Sequence, residues 1–119
     1  MLREIEPDHW HKFLDEFSER NRRRDARLQI SGQIGAPRVE RDLLLDGVTI
    51  KLEGDGAPRA EFSFGVGPGA EPLTRSIPFV RLVAHRYSVG GRDEVLEILS
   101  GGGVRALLYF SSRPDTAAA

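Results

Sequence analysis

Residues 7–18 read Pro7-Asp8-His9-Trp10-His11-Lys12-Phe13-Leu14-Asp15-Glu16-Phe17-Ser18, and this stretch decides the fold. Trp10, Phe13, Leu14 and Phe17 recur at helical spacing, whereas almost everything from Arg27 to Phe110 alternates with period two between glycine-rich turns. The change of period predicts an α+β chain, mostly β: one N-terminal amphipathic helix over about 7–24, packed on an antiparallel meander of six to seven strands within about 27–111. Strands of this number and spacing curl into a roll or small barrel, and the helix covers one opening. The expected unit is a single domain over 1–112, followed by a disordered tail over 113–119.

Pro7 suits the first helical position, with Ile5 and Trp10 placed as a hydrophobic staple around a cap at Glu6. Arg20, Arg22, Arg23 and Arg24 crowd the negative end of the dipole. Lys12, Asp15, Glu16 and Glu19 form the wet face. Among the strands, Asp46-Gly47 separates Leu43 and Leu45 from the alternating Val48, Ile50 and Leu52, which predicts a tight reversal. Gly35-Ala36-Pro37, Gly54-Asp55-Gly56, Gly67 to Pro72, Gly90-Gly91 and Gly101 to Gly103 mark the other turns, and Ala60, Phe62, Phe64 and Val66 alternate inward before the third of these. Ile77 to Val89 reads as one strand. Within Glu94 to Leu99 apolar side chains fall on both faces, which places that strand centrally or sets one face against the helix or a second subunit.

The 119 residues contain no cysteine, so disulfides, thiolate metal sites and a thiol nucleophile are excluded. No window approaches the ~20 apolar residues of a membrane span, and no basic leader opens the chain, so a cytoplasmic protein without a membrane partner is expected. Fifteen arginines and two lysines face 18 acidic residues, a net charge of -1, and with no net basic field a nucleic-acid partner is disfavoured. His9, His11 and His85 lack metal-ligand spacing and read as surface residues, so no metal and no cofactor is expected. His11 and Asp15 stand one helical turn apart, but no serine sits on a nucleophile turn. Asp93 and Glu94 beside a Gly-Gly turn read as solvated charges, and Gly65-Val66-Gly67-Pro68-Gly69 lacks the following helix that a phosphate cradle needs. No catalytic residue emerges, and the expectation is a non-enzymatic module.

Arg20 and Arg24 form an Arg-x-x-x-Arg pair before the first predicted strand, and Asp42-Leu43-Leu44-Leu45-Asp46-Gly47 follows. The two together resemble the signature of PilZ domains, small barrels that bind cyclic di-GMP. The resemblance implies that Arg20 and Arg24 grip phosphate and guanine while Asp42 and Gly47 complete the pocket. Leu44 stands where that family carries serine, which removes a hydroxyl from the ligand site.

A more extensive resemblance, nearly the full length, is to an uncharacterised bacterial family catalogued as domain of unknown function 5335. It is carried by Trp10 with Phe13-Leu14-Asp15-Glu16-Phe17-Ser18, Arg41-Asp42-Leu43, Leu73-Thr74-Arg75-Ser76-Ile77-Pro78, Glu94-Val95-Leu96-Glu97-Ile98 and Leu107-Leu108-Tyr109-Phe110. It implies a small bacterial protein with no assigned activity. The expected function is therefore protein interaction, with a partner or by self-association into a homo-oligomer, and the alternative is a degenerate PilZ-like binder of a cyclic dinucleotide.

Overall fold

The computed structural model describes residues 2–32, 36–52, 54, 56–65, 72–87 and 94–110. Several expected features lie outside these residues: Gly35, Asp55, the inward Val66 and all of the Gly67 to Pro72 loop but its last residue, the Gly90-Gly91 turn with Asp93, and the tail. The chain forms β1 (Leu2–Ile5), a 3-10 turn (Pro7–His9), α1 (Trp10–Asn21), β2 (Asp25–Ser31), β3 (Arg38–Leu52), β4 (Pro58–Gly65), β5 (Leu73–Ile77), β6 (Val80–Tyr87), β7 (Glu94–Ser100) and β8 (Arg105–Phe110). All eight strands belong to one antiparallel sheet in the order β1-β6-β7-β8-β2-β3-β4-β5.

The helix and the mostly antiparallel β class are as the change of period predicts. The sheet curls but does not close. β1 and β5 are its two outer strands, while β4 and β6, far apart in the strand order, approach one another. Bidentate Arg75 on β5 reaches Glu40 near the start of β3 at 2.7 and 2.8 Å, although β4 lies between the two strands in the sheet.

Eight strands replace the six to seven expected, and the difference is a merger, a split and an addition. The expected reversal at Asp46-Gly47 is absent, and β3 runs through it as one strand of 15 residues. Asp46 is instead the extra residue of a bulge, because Leu45 pairs with Phe64 and Gly47 with Ser63. Gly47 does not adopt the positive φ that a tight primed turn requires. The surroundings supply the reason. β3 leaves β2 at Leu44, and α1 with the two-residue turn after Arg22 satisfies the vacated edge: Arg23 N–H donates to Leu45 O, Leu45 N–H to Arg24 O, and Val48 N–H to Ser18 Oγ.

A second bulge sets Arg41 and Asp42 against Arg27, with Asp42 at φ 60°. The predicted strand from Ile77 to Val89 is split at Pro78, which has no N–H to donate, and at Phe79, which takes φ 53°. β1 went unread because it is short and only Ile5 of its residues is buried.

The helix is also shorter than predicted. A 3-10 turn opens it, Glu6 provides no side-chain cap, and Trp10 Nε1 donates to Ile5 O at 2.9 Å across the expected staple. The α-helical hydrogen bonding stops at Asn21, Arg22 is extended at ψ 134°, and Arg23 takes φ 70°. Only Arg20 therefore occupies the last helical turn, because the backbone of Arg23 and Arg24 is captured by β3. Trp10, Phe13, Leu14 and Phe17 are buried as predicted, while Lys12, Asp15, Glu16 and Glu19 are exposed. They join Leu28, Leu45, Val48, Phe62, Phe64, Val83, Leu96, Ile98 and Leu108 in one core. At roughly 1.5 to 3 kcal/mol for each large apolar side chain fully removed from water, this cluster is the main source of stability. Among the described residues, no helix is long and apolar enough to cross a membrane.

Candidate functional site

Register decides which side chains share a face, because cross-strand partners point to the same side of a sheet. The inner rows run His85-Leu96-Leu108-Leu28 and Val83-Ile98-Ala106-Ile30, and α1 packs over them. Tyr87 pairs with Glu94 and Arg3 with His85, so these four stand on the inner side near one end of the sheet.

Two residues expected at the surface are buried here. His85 is 6% exposed and Glu94 is 7% exposed. Parity carried the missing signal: Glu94 is in phase with Leu96 and Ile98, and His85 with Val83. Turn proximity and residue type outweighed that phase in the sequence. Glu94 gathers most of the polar groups around it. Arg20 Nη2 donates to its Oε1 at 2.8 Å and Arg20 Nε to both oxygens at 3.3 Å, while Asn21 Nδ2 donates to Oε2 at 3.2 Å. His85 Nε2 lies 2.6 Å from Oε1.

Burial by itself raises the Glu94 carboxyl pKa, but hydrogen bonds from Arg20, His85 and Asn21 and the charge of Arg20 outweigh it and hold the group below its ordinary range. Glu94 is thus a carboxylate, an acceptor only, and His85 Nε2 must donate to it. His85 Nδ1 is left buried with no hydrogen-bond partner. The imidazole is clamped by rings: Phe13 and Phe17 meet it edge-on with centroids at 5.2 and 6.2 Å, and Tyr87 stacks at 5.1 Å.

Arg20, Arg24, Asp42 and Gly47 are not joined to one another by any hydrogen bond or ion pair among the described residues. Arg20 is held by Glu94. Arg24 donates to Asn21 Oδ1 at 2.8 Å and lies over the Phe110 ring at 4.7 Å. Asp42 sits exposed in its bulge, and Gly47 faces the Ser18 side chain. His11 and Asp15 are both exposed on the helix.

The opposite face of the sheet has a different character. Its rows are Leu2-Arg86-Val95-Tyr109-Arg27, Glu4-Ala84-Glu97-Leu107-Gln29-Val39 and Leu82-Leu99-Arg105-Ser31. None of its apolar members belongs to the core cluster, although Ala84 and Leu107 are buried. At the centre Glu97 is held by Arg105 Nε at 2.7 Å and Arg86 Nη2 at 3.6 Å, and Arg27 lies over the Tyr109 ring at 4.3 Å. Strands about 4.8 Å apart with outward positions about 6.8 Å apart make the three rows across these five strands a face of about 19 by 14 Å. The α1 contacts lie on the other side of the sheet. The chain matches no family model, no curated protein and no solved structure.

Proposed function

We propose that this chain is a non-enzymatic interaction module that associates with a second copy of itself through the outward face of β1, β6, β7, β8 and β2. The observation that carries the proposal is the set Leu2, Leu82, Val95, Leu99, Leu107, Tyr109 and Val39, aligned by register on the side away from the core. Apolar-rich patches of several hundred Å² mark interaction surfaces in monomer-sized proteins.

A second copy fits the face because a two-fold interface must be self-complementary. Glu4 and Glu97 stand among Arg27, Arg86 and Arg105, so each sign of charge meets the other when the face turns on itself. The unpaired edge of β1 borders the patch and extends it.

Sedimentation velocity over a concentration series tests the proposal. Dimerisation that is lost in both Val95→Glu and Leu2→Lys supports it. A wild type that stays monomeric at about 1 mM, or a dimer indifferent to both changes, rejects it.

A further inference from the structure

Arg3, Arg20, His85, Tyr87 and Glu94 line a concavity of about 280 Å³ where β1 and β6 meet the C-terminal end of α1. Two arginines, Arg3 from β1 and Arg20 from the last turn of α1, contribute to its lining. Arg3 is brought in by the β1–β6 register, opposite His85, and its guanidinium lies 5.8 Å from the centre of the Phe13 ring. It makes no hydrogen bond or ion pair among the described residues. Arg20 is pinned by Glu94 through Nε and Nη2, so its Nη1 remains unspent and its rotamer is set in advance. Glu94 is the one acid in the lining, against the two guanidinium groups of Arg3 and Arg20, so arginine charge exceeds carboxylate charge by one.

We infer that this concavity is a binding site for a phosphate group, free or as a monoester. Two cationic forks approaching from different elements suit a tetrahedral anion with three or four terminal oxygens, whereas a carboxylate is satisfied by one fork. Preorganisation of Arg20 lowers the ordering cost of binding. The volume leaves room beyond the phosphate itself, which a small ester substituent fills against the Tyr87 and His85 rings.

The site is independent of the outward sheet face, and its test leaves that face untouched. Inorganic phosphate, glycerol phosphate and acetate are titrated separately into isotope-labelled full-length protein, with amide shifts followed by NMR. Saturable shifts at Arg3, Arg20, Tyr87 and Glu94 with phosphate are expected, in the range of a millimolar dissociation constant. Arg3→Ala weakens that binding about tenfold while the thermal transition falls only slightly, because one charge-assisted contact to the ligand is lost and, internally, only the cation–π contact with Phe13.

Tighter binding of glycerol phosphate identifies an ester as the ligand, and equal or weaker binding identifies free phosphate. Absence of saturation by either phosphate at about ten times that concentration, indifference to Arg3→Ala, or acetate binding as tightly as phosphate overturns the inference.

Discussion

His85 Nε2 stands 2.6 Å from Glu94 Oε1, and both side chains are 7% exposed. A strand histidine and a strand glutamate, nine residues apart in the chain, meet beside the C-terminal end of the only α-helix among the described residues. Around them Arg20 and Asn21 tie that helix end to β7, as the Ser18 hydroxyl, in the same last turn, ties it to β3. The helix is therefore fastened to both sides of the curled sheet by polar contacts as well as by its apolar stripe.

Removing the carboxylate charge unfastens one side. Glu94→Gln keeps the shape but leaves Arg20 without its counter-ion and His85 against a neutral amide. A loss of about 2 kcal/mol in unfolding free energy is expected by urea denaturation, because a charged acceptor serving several donors is replaced by a neutral one. Glu19→Gln, on the exposed helix face, stays within about 0.5 kcal/mol.

The same group makes stability depend on acid. The folded pKa of Glu94 lies below its ordinary value of 4.5, so the unfolded chain binds the proton more readily than the folded one. Its stabilisation is complete above the unfolded value and is lost as pH falls through the folded value. The stability gap between wild type and Glu94→Gln should narrow on going below about pH 5, measured by denaturation at each pH. A gap that widens on acidification contradicts the assignment.

Gly32 illustrates a backbone constraint. It takes φ 94°, and a Cβ placed on it would stand 2.3 Å from the carbonyl oxygen of Gly103, which is main chain and unable to swing aside. Gly32→Ala should cost more than about 2 kcal/mol by forcing the β7–β8 turn away from the end of β2. Gly54→Ala, with open space around it, serves as the neutral comparison in the same thermal melt.

Arg23 presents the converse. It is exposed and held at φ 70°, a conformation that disfavours a side chain, while its backbone N–H binds Leu45 O at 2.7 Å. Arg23→Gly should raise unfolding free energy by about 1 kcal/mol, because the left-handed penalty disappears and the hydrogen bond remains. Arg23→Val should lower it, and equal melting of the two variants would contradict this account.

Much of the architecture was written in local pattern. Helical spacing of Trp10, Phe13, Leu14 and Phe17, and alternation such as Ala60, Phe62 and Phe64, determine which faces are buried, since period and burial are properties of neighbouring residues. The apolar side chains on both faces of Val95 to Leu99 likewise foretold a central strand, and β7 lies between β6 and β8 with Leu96 and Ile98 in the core. Asp46-Gly47 read as a turn and folded as a bulge because the partner for that edge of β3 is the helix end, some 25 residues earlier in the chain. Buried Glu94 was only half legible: its phase with Leu96 and Ile98 pointed inward, but a carboxylate is tolerated in that position only when Arg20, Asn21 and His85 arrive together. The chain alone determined the helix, the antiparallel β class and the inward side of most apolar positions. Tertiary structure decided which edges are paired, where the sheet stops short of closing, and which charges are drawn inside, since each of these depends on partners that meet only after the sheet has curled.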